Sequence, residues 1–312
     1  MAANTLFEHL GAPYRNVHDY LSVTVDFAEH ALARGNPVLV AVPGHKVDVI
    51  RTGLGAQAGQ VSFADMAVAG RNPGRILPAV LIRFAEQHPG QRVSVIGEPT
   101  WAGRSAAEFP ACVTHEALIN EAFAGRDAEI LCPYDISALD PAAIADAYST
   151  HPLLRDSTRT WVNTGYEDPQ ATLARLNFAL PAPFHAQRLS YALPEDLVMV
   201  RKFAASHAEA AGLSQDRIEA LTIAVSELAA NTTLHTKAPG EIAVWVEDGA
   251  FICQVTDSGY LSDPLAGRVP PSSMEVGGHG LVLVNQLTDL VRVHTSLLGT
   301  TIRLHQNLDV VA

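Results

Sequence analysis

The chain has 312 residues, 48% of them hydrophobic and 17% charged, with 33 acidic against 21 basic side chains and a net charge of −12. The length favours two domains, and the composition supplies enough apolar material for sizeable cores, which excludes a disordered polypeptide. The acidic balance excludes nonspecific nucleic-acid binding as the main task, because neutralising phosphates needs clustered Lys and Arg.

At the N-terminus no basic region precedes an apolar core, so no signal peptide is expected. Residues 14–34 keep a helical period through Val17, Tyr20, Leu21, Val25, Ala28 and Leu32. Residues 37–42 (PVLVAV) form a short apolar run, as expected of a parallel strand buried on both faces. Residues 44–54 read as a helix, 61–63 as a strand, 74–87 as a helix after Asn72-Pro73, and 93–97 as a strand. A helix over 115–124, a strand over 129–133 and a helix over 141–148 with Asp140 as its cap follow. Alternation of this kind predicts a doubly wound, mainly parallel sheet.

Ligands of such sheets sit beyond the carboxyl ends of the strands. The strand ends here carry Pro43-Gly44-His45-Lys46, Gly97-Glu98-Pro99-Thr100-Trp101 and Cys132-Pro133-Tyr134-Asp135. His45, Glu98, Trp101, His115, Tyr134 and Asp135 are therefore candidates for a pocket, with core packing the competing reading for Trp101, Tyr134 and His115. The first strand end is no phosphate loop, since Leu39 stands at the first glycine position and His45 where the lysine belongs. No histidines have a ligand spacing such as H-E-x-x-H, and no structural metal is expected. Cys112, Cys132 and Cys253 lie far apart without a C-x-x-C pair, which excludes a disulfide framework and fits a reducing cytoplasm.

Four segments in order, GEPTW-x-GR (97–104), HEALIN (115–120), CPYD (132–135) and THPLL (150–154), resemble the MEDS sensory domain. The resemblance covers roughly residues 6–160 and implies a fold related to RecA and KaiC, and the sensing of a small-molecule signal of unknown identity. Pro169, Pro181 and Pro183 then interrupt regular structure, with a short helix possible over 171–178. The expected organisation is a sensory domain over 1–165, a linker over 166–186 and a second domain over 187–312.

In the second half, residues 188–193 alternate as an edge strand. A helix over 194–211 begins with Pro194, Glu195 and Asp196, and Ser214 is expected to cap the next. That next helix carries LTIAVSELAANTTLH (221–235), apolar at Leu221, Ala224, Val225, Leu228 and Ala229. Glu227 and Asn231 stand four apart on it and so share a face. A carboxylate and a carboxamide so placed can serve one metal–phosphate site, the amide oxygen ligating Mg²⁺ and the carboxylate acting as a base. Strands over 242–247 and 251–256 flank an Asp248-Gly249 hairpin turn. Asp257-Ser258-Gly259 follows, and then a glycine- and proline-rich stretch to about Gly278. Gly278-His279-Gly280 opens a helix over 281–287, and strands over 291–294 and 300–304 close the chain. No window reaches about 18 apolar residues in a row, so no membrane span is expected.

E-x-x-x-N on a helix, D-x-G at a strand end, G-x-G-L opening a helix and G-T-T at a strand start occur here in order. Each has a use at a nucleotide. Asp257 can accept the adenine amine proton while Gly259 lets the base approach the backbone, Gly278 and Gly280 permit tight turns, and the N–H groups at the next helix start suit phosphate. Thr301 can reach the adenine-side water or amide.

In this order the segments resemble the GHKL, or Bergerat-fold, ATPase superfamily, and more closely its anti-sigma-factor serine kinases, over about residues 187–306. The resemblance implies an α/β sandwich that binds ATP and Mg²⁺. It makes Glu227 the general base, Asn231 the Mg²⁺ ligand, Asp257 the adenine-binding aspartate, Gly278, Gly280 and Leu281 the second glycine box, and Thr300 and Thr301 the threonines of the closing strand. It also implies a sigma factor and a STAS-type anti-anti-sigma protein as partners, and a homodimer. Leu261 departs from the pattern, standing where the first glycine box has its second glycine. Three functions are carried forward: a protein serine kinase that sequesters a sigma factor, an ATP-dependent binding module without turnover, and a sensor with a degenerate ATPase. A sensor histidine kinase is disfavoured, because His115-Glu116 lies inside the α/β half and no long helical hairpin precedes residue 187.

Overall fold

The computed structural model describes residues 6–236, 238–270 and 278–308. The chain divides into two compact units, Met1–Leu176 and Asn177–Ala312.

The first unit is a seven-stranded sheet in the order β3-β2-β4-β5-β1-β6-β7. β1 (Phe7–Tyr14) is followed by α1 (Val17–Ala33), β2 (Val38–Val42), α2 (Gly44–Leu54) and β3 (Val61–Asp65). The short α3 (Met66–Ala69) leads to a π-helical segment, Ile76–Ile82, that runs into α4 (Arg83–Glu86). The sequence predicts one α-helix there, but Pro78 has no N–H to contribute to it. β4 (Val93–Gly97), α5 (Phe109–Ala122), β5 (Ala128–Asp135) and α6 (Pro141–Thr150) complete the alternation. Asp140 caps α6 through the N–H of Ala143, as expected. β6 (Leu153–Arg155), β7 (Thr160–Val162) and α7 (Pro169–Leu176) end the unit. All pairings are parallel except that of β6 with β7.

The largest departure is β1, where no strand is predicted. Phe7–Tyr14 contains Gly11 and Pro13, which weaken a strand pattern, yet it lies between β5 and β6. Consequently α1 begins at Val17, with the Asn16 side chain accepting from the Asp19 N–H.

The second unit is a five-stranded antiparallel sheet in the order β11-β12-β10-β9-β8. In chain order it comprises β8 (Gln187–Tyr191), α8 (Leu197–Ala210), α9 (Gln215–His235), β9 (Gly240–Glu247), β10 (Ala250–Asp257), α10 (Gly280–Leu287), β11 (Leu290–Ser296) and β12 (Gly299–Asn307). Side chains two apart on the strands, Ile242 and Val244, Phe251, Cys253 and Val255, and Ile302 and Leu304, share one core with Val200, Leu221, Val225, Leu228 and Val284 of the helices. The mixed α/β class, with one parallel-dominated and one antiparallel sheet, is therefore as predicted. At the β9–β10 turn Asp248 and Gly249 both take positive φ, 48° and 73°, the type I′ geometry that an Asp-Gly pair favours. Ser214 occupies the N-cap of α9, but its side chain makes no capping hydrogen bond. Among the described residues no helix is long and apolar enough to cross a membrane.

Candidate functional site

A cleft of about 610 Å³ opens in the second unit. Its walls are the end of α9 (Leu228, Asn231, His235, Thr236), the end of β10 (Val255, Asp257), the loop after it (Gly259 to Pro270), the start of α10 (Gly278, Gly280, Leu281) and β12 (Thr300, Ile302).

Asp257 is held there by two hydrogen bonds. Its Oδ1 accepts the Gly259 N–H at 2.8 Å, and its Oδ2 accepts the Thr232 hydroxyl at 2.8 Å. Thr232 in turn accepts from the Tyr191 hydroxyl at 2.9 Å. Burial pushes the Tyr191 phenol up to about 12, so it stays protonated and donates. The chain Tyr191–Thr232–Asp257 thus fixes the carboxylate from behind, and a carboxylate with two bonds made still has lone pairs for a ligand donor.

A second relay pins the loop. The Leu261 N–H donates to Thr295 Oγ1 at 3.0 Å, Thr295 and Thr300 hydroxyls lie 2.8 Å apart, and Thr300 donates to the Gly259 carbonyl at 2.8 Å. Each hydroxyl can therefore donate once and accept once. Leu261 does not have a positive φ; its backbone does not require the glycine it replaces, and its side chain lines the cleft.

Glu227 lies one turn before Asn231 on α9, half-buried. A Cβ built on Gly280 would come within 2.7 Å of Glu227 Oε2, so glycine lets α10 start directly against this carboxylate. Neither Glu227 nor Asn231 makes a side-chain hydrogen bond among the described residues, which leaves both available. Gly278 has φ 79°, and no side chain caps the first turn of α10, whose N–H groups suit an anion.

Residues 191–305 match the model of the histidine kinase-like ATPase domain. Residues 8–152 match that of the MEDS family, the methanogen/methylotroph, DcmR sensory domain. The chain joins a MEDS domain to a histidine kinase-like ATPase domain. Among solved structures, the RsbU and RsbW domains of a Mycobacterium tuberculosis protein match at 21% identity with a TM-score of 0.30. That match covers 41% of this chain and 33% of the other, so the chain spans about a third of the length of that structure. No curated protein matches.

Within the ATPase domain the cleft gathers Asn231, Asp257, Gly259, Gly278, Gly280, Leu281 and Thr300, with Glu227 against Gly280. Thr301 is the exception. It pairs with Thr256, its hydroxyl 3.4 Å from that of Thr256, whereas Thr300 pairs with Asp257. Neighbouring strand residues face opposite ways, so the cleft takes Thr300 and Ile302 while Thr301 lies on the other face of β12. Tyr191, Thr232 and Thr295 were not foreseen as parts of the site.

In the MEDS domain the six pocket candidates do not form one cluster. Glu98 is fully buried and receives the hydroxyls of Tyr14 and Tyr20 at 3.3 Å each, together with the Lys46 ammonium. Lys46 also donates to Tyr14 at 2.5 Å. Burial raises the Glu98 carboxyl to about 7 against the opposing pull of Lys46. Tyr134 instead packs edge-on against His151, with 5.3 Å between ring centroids, beside Glu116. The Arg104 guanidinium stacks 3.9 Å from the Trp101 ring. Asp135 accepts from Ser137 in a local turn, His45 is exposed on the first turn of α2, and His115 is buried within α5.

Proposed function

We propose that the ATPase domain binds Mg–ATP and acts as an anti-sigma regulatory factor of the serine kinase type. The substrate is a STAS-type anti-anti-sigma protein, and a sigma factor is held in the alternative state. The observation that carries this reading is the convergence of Glu227, Asn231, Asp257 and the start of α10 on one cleft.

The donor set fits the nucleotide. Asp257, held by Thr232 and Gly259, is the acceptor for the adenine amine. The Asn231 amide oxygen is the protein ligand for Mg²⁺, a hard cation that takes oxygen donors. The backbone from Gly278 and the first turn of α10 cradle the phosphates. When bound, Mg–ATP supplies the phosphoryl group and the charge that neutralises it. Glu227 orients the acceptor serine and takes its proton. The MEDS domain is the sensor of a small-molecule signal, and the chain acts in the cytoplasm. Burial of His115 at 1% exposure within α5 speaks against a phosphoacceptor histidine there.

The test is incubation of the full chain with γ-labelled ATP, Mg²⁺ and the STAS proteins encoded in the same genome, beside Glu227→Ala. Label on a STAS serine that depends on Glu227 supports the kinase. ATP binding with no transfer to any of them leaves an ATP-dependent binding module, and label on a histidine of this chain overturns the assignment.

A further inference from the structure

A second polar cluster lies in the core of the MEDS domain. His9 on β1, Glu116 on α5, Cys132 on β5 and His151 just after α6 are each buried, at 0–1% exposure. One ligand atom from each lies within 4.8 Å of all the others. His9 Nε2 is 3.3 Å from Glu116 Oε2 and 3.5 Å from Cys132 Sγ, and His151 Nε2 is 3.4 Å from the same Glu116 oxygen.

The outer nitrogens of both imidazoles are already committed. His151 Nδ1 lies 2.7 Å from the Ala147 carbonyl, which can only accept. His9 Nδ1 lies 3.1 Å from Asn120 Oδ1, and the Asn120 amide is oriented by donating to the Thr150 carbonyl at 2.9 Å. Each neutral ring therefore carries its proton on Nδ1 and turns the Nε2 lone pair inward. Two lone pairs, a carboxylate and a sulfur then face one another. Both Glu116 oxygens and His151 Nε2 are buried without a hydrogen-bond partner, a costly arrangement unless a cation joins them. Gly11 makes room for the His151 side chain, since a Cβ there would meet its ring at 3.1 Å.

The geometry suits one ion. Bonds of about 2.0–2.3 Å to nitrogen, oxygen and sulfur in a tetrahedron place ligand atoms ~3.3–3.8 Å apart, which the three measured separations match. Asn120 and the Ala147 carbonyl stand where metal-bound histidines commonly have their outer partners. Two imidazoles, a thiolate and a carboxylate are the donors of a zinc-class ion. We propose that His9, Glu116, Cys132 and His151 bind one divalent transition-metal ion of the zinc class in a closed, four-ligand site that stabilises the MEDS domain.

The test uses the full chain, stripped with a chelator and titrated with Zn²⁺ and with Co²⁺ alone. One equivalent is expected per chain. Co²⁺ gives tetrahedral d–d bands and a thiolate-to-cobalt charge-transfer band, and Zn²⁺ raises the Tm. Cys132→Ser loses the charge-transfer band, and Asn120→Ala weakens binding about 10–100-fold. Folded wild-type chain that takes up no stoichiometric Zn²⁺ or Co²⁺ overturns the proposal, with no variant needed. So does a charge-transfer band that survives Cys132→Ser.

Discussion

Asp257 takes its orientation from Thr232, and Thr232 from Tyr191. Thr232→Val deletes both bonds and leaves the buried Tyr191 hydroxyl unpaired, at about 1–3 kcal/mol. Weaker ATP binding together with a lower Tm is expected, read by calorimetric titration and thermal unfolding. Asp257→Asn removes a charged acceptor worth roughly 1.5–3 kcal/mol and should weaken ATP by about 10- to 100-fold while the fold persists. Gly280→Ala acts differently. The new methyl meets the tip of the Glu227 side chain, which can swing aside, so the fold should change little while the carboxylate is displaced. Phosphoryl transfer should fall more than ATP affinity. Glu98 gives a pH signature. With its carboxyl near 7 in the folded state against about 4.3 unfolded, the folded chain binds the extra proton between these values. Its stabilising contribution is complete below about pH 4 and is lost as pH rises to about 7. Lys46→Met removes the charge that holds the carboxyl down, so the loss should extend above pH 7 in urea unfolding at stepped pH.

At the scale of elements, α9, the Asp248-Gly249 hairpin and the β/α alternation are legible because periodicity and turn chemistry are local signals. β1 is not, since its Gly11 and Pro13 contradict a strand locally and its place is set by pairing with β5, over a hundred residues away in sequence. The residues that meet at the cleft lie on readable elements, Asn231 in α9, Asp257 at the end of β10, Gly280 at the start of α10 and Thr300 in β12. Strand parity separates Thr300 from Thr301, and only the register of β12 against β10 fixes it. The hydroxyl relays were hidden for the same reason, since Tyr191 and Thr232 are 41 residues apart and meet across α9 and β8. The His9, Glu116, Cys132 and His151 cluster draws on β1, α5, β5 and the residue after α6, so no ligand spacing marks it in the sequence.

On the scale of the whole chain, each unit has its own core. Tyr191, Leu221, Phe251 and Leu304 pack within the second unit, whereas Leu10, Phe27, Val40 and Leu131 pack within the first. Residues 177–312 expressed alone should therefore fold and bind ATP as the full chain does. Phe251→Ala should cost about 3–5 kcal/mol and abolish ATP binding while leaving Glu98 titration in the first unit unchanged. The central claim is that the cleft between α9, β10 and α10 is a Mg–ATP site, and calorimetric titration of the full chain with ATP, with and without Mg²⁺, tests it most directly. The account predicts saturable binding that Mg²⁺ tightens, loss of that Mg²⁺ increment in Asn231→Ala, and retained binding without transfer in Glu227→Ala. Absence of ATP binding by folded wild-type chain, or a Mg²⁺ increment unchanged in Asn231→Ala, would contradict it.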